Sequence, residues 1–260
     1  MSRVVYHVGY TTLIMLPSSI ILTALAPLLG ALCMLGILVP ILFLMRPRRF
    51  YLVRHGETIL NVGHVRQGSA GGLSENGKRQ AERVGRYLVR FPITRLIVSP
   101  YERAQETAAI INAYLKVPVI YSALFIERRN PSEIIGKRDD DPEVVRIVDQ
   151  MDRSYHDDTY RFSDEENFED LRDRAKRALT YLSYRHTRET CIVTHGIFLK
   201  MFIAYLLYRE NLHAADYVKL SFFNASDNAN ITVCEFHPWK LFSATRGWEV
   251  VSYNETPEAL

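Results

Sequence analysis

Between Val4 and Met45 the chain has no lysine, arginine, aspartate or glutamate. A stretch that long without a strong charge is not an ordinary solvated surface. Cysteine is scarce as well. Cys33, Cys191 and Cys234 are odd in number, far apart and without a Cys-x-x-Cys pair, which indicates neither a zinc site nor a disulfide framework. Unpaired thiols agree with a reducing compartment. An excess of one charge sign is also missing. Lys+Arg 32 against Asp+Glu 29 leaves a net charge of +3, too balanced for nucleic acid as the main partner. Repeats and low-complexity segments are absent. What remains is 48% hydrophobic and 23% charged over 260 residues, which excludes a disordered chain and leaves room for one ordinary domain or two small ones.

The uncharged run exceeds the roughly 20 apolar residues that cross a bilayer. Its best span is Leu28 to Leu44, and a second apolar stretch, Leu13 to Leu25, precedes it. One span and a short hairpin turning near Pro27 are both open, since Pro17 and Pro40 exclude neither. A cleaved signal peptide fits less well, because Pro27 would directly follow the small-residue site Ala24-Leu25-Ala26. Arg46, Arg48 and Arg49 flank the far end while only Arg3 flanks the near one, so the positive-inside rule expects the remainder to be cytoplasmic. The expectation is a membrane anchor over 1–45, in contact with the lipid bilayer, and a folded domain over 46–260.

That domain reads as alternating strands and helices. Phe50–Val53, Leu96–Val98, Val119–Tyr121 and Cys191–Val193 are short apolar runs of strand formers. Helical spacing marks Ser74–Arg90, the stretch from Pro100 to Leu115, and Asp164–Arg185 and Ile197–Leu207. Asp141-Pro142 caps another helix, carrying Val144, Val148, Met151 and Tyr155 on one stripe. The tail turns β-rich at Ile231–Cys234 and Trp248–Val251. The expected fold class is α/β, a three-layer sandwich with a mostly parallel central sheet.

In such sheets ligands bind beyond the carboxyl ends of the strands. The first strand is followed by Arg54-His55-Gly56-Glu57-Thr58, the second by Ser99-Pro100 and Arg103, the third by Glu127, the fourth by Thr194-His195-Gly196. Two guanidiniums and two imidazoles around one point make an anion site, because arginine's forked donors match phosphate oxygens. A neutral imidazole can attack phosphorus, and a carboxylic acid can protonate the leaving alcohol and then activate water. Fixed positive charge does the stabilising, so no metal and no cofactor are expected. Zinc ligation by the two histidines fits poorly beside two arginines.

These blocks resemble the histidine phosphatase superfamily, which includes the cofactor-dependent phosphoglycerate mutases. The carrying residues are Leu52-Val53-Arg54-His55-Gly56-Glu57-Thr58 with Asn61, then Arg66-Gln67-Gly68, then Leu73-Ser74-Glu75-Asn76-Gly77-Lys78-Arg79-Gln80-Ala81. Ser99-Pro100-Tyr101-Glu102-Arg103-Ala104-Gln105-Glu106-Thr107-Ala108 and Val193-Thr194-His195-Gly196 complete the set. The resemblance implies the family's α/β sandwich, with His55 as the phosphorylated nucleophile and Glu127 as proton donor. It implies that Arg54, Arg103 and His195 hold the phosphoryl group, with Asn61, Gln67 and Gly68 beside the substrate.

Two departures stand out. Many relatives carry Asp-x-Pro-Leu-Thr where this chain has Gly71-Gly72-Leu73-Ser74. The loop after Glu127 carries Arg128, Arg129, Lys137 and Arg138, which either meet a second anionic group or are solvated. Glu133 competes with Glu127 for the acid role, and Glu57 is expected to brace the Arg-His-Gly turn. Asp139-Asp140-Asp141 suits a helix N-terminus better than a metal cluster. The leading expectation is a phosphomonoester hydrolase, its partner a phosphorylated small molecule or phosphoprotein. Alternatives are a mutase-type phosphoryl transferase and a non-catalytic module that binds phosphorylated ligands. Arg66-Gln67-Gly68 resembles the phosphatase branch more than the mutase branch.

Overall fold

The structure is a computed structural model that describes residues 30, 31, 33–40, 42, 45–154, 156–185, 187–223, 227–240 and 242–257. The chain divides into two units, Met1–Met45 and Arg46–Leu260. In the first, the described residues up to 42 are helical and exposed. Among the described residues no helix is long and apolar enough to cross a membrane. This overturns the membrane location and the cytoplasmic orientation expected above. The Leu13–Leu25 stretch and part of Leu28–Leu44 lie outside the described residues. An uncharged run is a property of composition, whereas a span needs about 20 residues in one continuous helix. Arg48 and Arg49, expected to flank a span, instead lie in the first strand.

The described residues of the second unit form six strands: β1 (Arg48–Arg54), β2 (Arg95–Val98), β3 (Val119–Tyr121), β4 (Glu189–Thr194), β5 (Ile231–Phe236) and β6 (Trp248–Glu255). Among the described residues seven α-helices accompany them: α1 (Ile59–Val62), α2 (Glu75–Leu88), α3 (Glu102–Leu115), α4 (Pro142–Arg153), α5 (Phe168–Ser183), α6 (Gly196–Tyr208) and α7 (Ala214–Phe223). The sheet order is β3-β2-β4-β1-β5-β6. The pairings among β3, β2, β4 and β1 are parallel, while β1–β5 and β5–β6 are antiparallel. The sheet is therefore mixed but mostly parallel, as expected, with β5 running against the other five strands. Parallel neighbours need a long crossover, usually a helix. Among the described residues between β5 and β6 there is only a 3₁₀ turn at Pro238–Lys240, and the short return is antiparallel.

The central strands are buried on both faces, and their side chains alternate between two cores. Phe50, Leu52, Ile97 and Ile192 pack with α5 and α6 on one face. Tyr51, Val53, Leu96, Val98, Cys191 and Val193 pack with α2 and α3 on the other. The strands therefore read as continuous apolar runs rather than alternating ones. A third, smaller core of Ile134, Val144, Ile147 and Met151 binds α4 to the 3₁₀ turn Ser132–Ile134. It gives the long β3–α5 connection a packed interior of its own. Tyr155, expected on the α4 stripe, lies outside the described residues.

Capping sets the helix starts. Ser74 Oγ accepts from Gly77 N at 3.0 Å at the head of α2. Asp141 Oδ1 accepts from Glu143 N at 2.8 Å, with Pro142 in the first helical position of α4. Helix α5 starts later than expected because Asn167, not Asp164, is its cap, accepting from Asp170 N at 3.0 Å. Asp164 instead accepts from Ser132 N at 2.8 Å.

Candidate active site

The C-terminal ends of β1, β2 and β4 and the loop after β3 meet at a cleft of about 300 Å³. Its walls include Arg54, His55, Asn61, Gln67, Arg103 and Glu127. Of the residues expected from sequence, these six come together there. His195 stands behind them, fully buried, its ring centroid 5.1 Å from that of His55. Gly68 is not a wall of this cleft; its carbonyl accepts from Arg103 Nη1 at 2.8 Å and so aims that guanidinium.

His55 is held in one tautomer. Its Nδ1 lies 2.8 Å from the carbonyl of Gly56, an acceptor only, so Nδ1 carries the proton. Nε2 then has a lone pair, which accepts from Arg103 Nε at 3.2 Å. Burial first, then the charges of Arg103 and Arg54, push the imidazole well below the usual histidine range. A neutral ring is the nucleophilic form. His195 is likewise pushed well down, by burial, by His55 and by the nearby guanidiniums. Its Nε2 is 2.7 Å from Ser99 Oγ, and among the described residues its Nδ1 has no hydrogen-bond partner. Arg54 and Arg103 are lowered by burial, with Glu127 opposing the effect in both.

The turn that presents His55 depends on close backbone approach. A Cβ on Gly77 would lie 2.0 Å from the carbonyl oxygen of Glu57, and one on Gly56 would lie 2.6 Å from that of Gly77. Gly56 N donates to Thr107 Oγ1 at 3.0 Å. Glu57 faces α2 and accepts from Ser74 Oγ at 2.6 Å, which braces the turn. Asn61 closes a capping box on α1, its Oδ1 accepting from Thr58 N at 3.2 Å.

Glu127 faces the cleft with its carboxylate across the start of α6. Oε1 accepts from Phe198 N at 2.9 Å and from Arg128 N at 2.9 Å, and Oε2 from Ile197 N at 3.2 Å. Glu133 sits on the 3₁₀ turn and is not a wall of the cleft. Lys137 pairs with Glu143, and Arg138 with Asp140 at 2.9 Å. The three aspartates take separate tasks: Asp139 pairs with Arg66 at 2.7 Å, Asp140 with Arg138, and Asp141 caps α4.

Sequence reasoning did not assign Lys200, Arg66 or Ser99. Lys200 and Arg66 line the cleft, and burial and the charge of Arg54 lower the Lys200 ammonium. The signal for Lys200 was its spacing. It lies four residues after Gly196, hence on the same face of the helix that leaves the β4 end.

A basic cleft with a carboxylate at its wall, at the strand ends of an α/β sheet, suits an enzyme that handles phosphate esters. The chain belongs to the histidine phosphatase superfamily (branch 1), whose family model matches residues 50–255. It is an enzyme of the histidine phosphatase and phosphoglycerate mutase-like kind. It is 33% identical over 147 residues to the uncharacterized phosphatase PhoE of Bacillus subtilis, covering 56% of this chain and 70% of that protein. The fold is similar to the α-ribazole phosphatase of Shigella flexneri, with a TM-score of 0.65, 20% identity, and coverage of 82% of this chain and 98% of that one. It is also similar to a mycobacterial glucosyl-3-phosphoglycerate phosphatase, with a TM-score of 0.64, 24% identity, and coverage of 80% and 99%.

Proposed function

We propose that the unit from Arg46 to Leu260 is a metal-independent phosphomonoesterase working through phosphohistidine on His55. One observation carries this reading: the Nδ1 hydrogen bond to Gly56, which leaves the Nε2 lone pair at the cleft beside Arg103. Arg54 and Arg103 hold the phosphoryl oxygens, Asn61 offers its amide N–H, and the unpartnered His195 Nδ1 is the remaining donor behind them.

In the first step the Nε2 lone pair of His55 attacks phosphorus. The P–N bond forms as the ester P–O bond breaks, and the departing oxygen takes a proton from the Glu127 carboxyl group. In the second step the Glu127 carboxylate takes a proton from water, whose oxygen attacks phosphorus. The P–N bond breaks, inorganic phosphate leaves, and neutral His55 is restored. Guanidinium charge meets the charge that builds on the equatorial oxygens, so the chemistry places no demand on a metal.

The test is hydrolysis of 4-nitrophenyl phosphate by the full chain in excess chelator, with His55→Ala as control. Activity should persist in chelator, vanadate should inhibit it as a transition-state mimic, and His55→Ala should abolish it. Quenched turnover should trap phosphate on His55, stable to alkali and lost in acid. Label on His195, a serine or an aspartate, or activity that needs added zinc or magnesium, would overturn the reading.

A further inference from the structure

The loop that carries Glu127 runs from Ser122 to Pro131 and contains a single 3₁₀ turn but no strand. Its carbonyls therefore have no ladder to join, and buried carbonyls must find donors elsewhere. They find them on one residue of α5. Arg174 Nη1 donates to the carbonyls of Ile126 at 2.7 Å and Leu124 at 3.2 Å, and Nη2 reaches that of Glu127 at 3.4 Å. The rest of the guanidinium is locked by Glu166. Nε donates to Oε1 at 2.6 Å and Nη2 to Oε2 at 2.5 Å, a forked pair. Both side chains are about 95% buried, with 6% and 5% exposure.

Glu166 grips the other side of the same loop. Its N–H donates to the carbonyl of Arg129 at 3.0 Å, and its Oε2 accepts from Arg129 N at 3.4 Å. The Arg174 guanidinium also lies 4.6 Å from the ring centroid of Phe198, whose own N–H holds the Glu127 carboxylate. Arg174 thus touches both the backbone of Glu127 and the helix start on which its carboxylate rests. A buried ion pair adds little stability over an apolar pair of the same volume. Its distinguishing property is direction: five planar donors fix three carbonyls and one carboxylate at set angles.

We infer that Arg174, locked by Glu166, is the positioning residue for the proton donor and sets the reach of Glu127 into the cleft. The inference rests on the reading of Glu127 as the acid. An activated aryl ester leaves without a proton and an alkyl ester does not, so the effect belongs in the ratio of the two.

The experiment compares kcat/KM of the full chain on butyl phosphate and 4-nitrophenyl phosphate. Glu127→Gln should lower the alkyl-to-aryl ratio on the order of 10²-fold. Arg174→Lys keeps the charge but loses the fork, and should lower the ratio about 10-fold or more. In the Glu127→Gln background it should lower the ratio no further, since both changes remove one function. The Arg174→Met/Glu166→Leu double variant removes both charges together and should show the same selective loss, which separates positioning from damage to the fold. If Glu127→Gln is selective but the Arg174 variants reduce both esters alike, the inference falls and the acid assignment stands. If Glu127→Gln itself is unselective, the acid assignment falls and takes the inference with it.

Discussion

Gly77 shows how little freedom the turn that carries His55 has. The obstacle to a side chain there is the Glu57 carbonyl oxygen, a backbone atom that cannot rotate away. Gly77→Ala should therefore cost about 1–3 kcal/mol or more by overpacking, and should shift the turn that carries His55. Urea unfolding and turnover of 4-nitrophenyl phosphate, measured where the variant is still folded, should both drop. Gly63→Ala is the control. Gly63 has φ −78° and its nearest Cβ neighbour would be 3.6 Å away, so stability should stay within about 0.5 kcal/mol. A Gly77→Ala variant as stable and active as its Gly63→Ala counterpart would show that the close approach is not needed. The same residue scale explains why Glu127 and not Glu133 reaches the cleft. Glu127 lies two residues past the 3₁₀ turn after β3 and meets the N–H groups that open α6, whereas Glu133 sits within the Ser132–Ile134 turn, where its carboxylate accepts from Ser132 Oγ at 3.5 Å.

Among the elements, α5 has the heaviest double duty. One face carries Leu171, Ala175, Ala178, Leu179 and Leu182 into the sheet core, and Arg174 reaches the Glu127 loop. Arg174→Met alone leaves the Glu166 carboxylate buried without its cation. That should cost on the order of 3–5 kcal/mol, and adding Glu166→Leu should restore most of it. Urea midpoints for the two variants check this, and a double variant no more stable than the single one would contradict it. The strands β1, β2 and β4 were legible because unbroken apolar runs mark burial on both faces, β3 because its three residues are strand formers even though Val119 and Tyr121 are exposed, and the helices α2, α3 and α6 because of helical spacing. Helices α1 and α7 were not. The first is one turn held by a capping box between Thr58 and Asn61, too short for any periodicity. The second, Ala214–Phe223, precedes a β-rich tail and lacks a strongly amphipathic pattern.

For the whole molecule, two buried imbalances of protonation have one consequence. His55 and His195 are both held neutral by burial and neighbouring positive charge. Below about pH 6.5 the unfolded chain binds protons at these positions and the folded chain does not. Stability is therefore complete above about pH 6.5 and declines below it, at ~1.4 kcal/mol per pH unit for each histidine until the folded state itself protonates. Urea midpoints between pH 7.5 and 5.5 should show this decline, and His195→Asn should remove one histidine's share of the slope. A midpoint flat across that range would refute it. The sequence by itself determined the α/β class, the family and which polar residues follow each strand. Those depend on residue type and on spacing along one strand or helix. Only the tertiary structure decided that the sheet is mixed, that Arg66 and Lys200 share the cleft with Arg54, that His195 stands behind His55, and that Arg174 grips the loop of Glu127. Each of these joins residues from separate elements, and Arg174 stands 47 positions from Glu127 in the chain. Such distances close only when the layers pack, because local spacing carries no record of which carbonyl a distant guanidinium will meet.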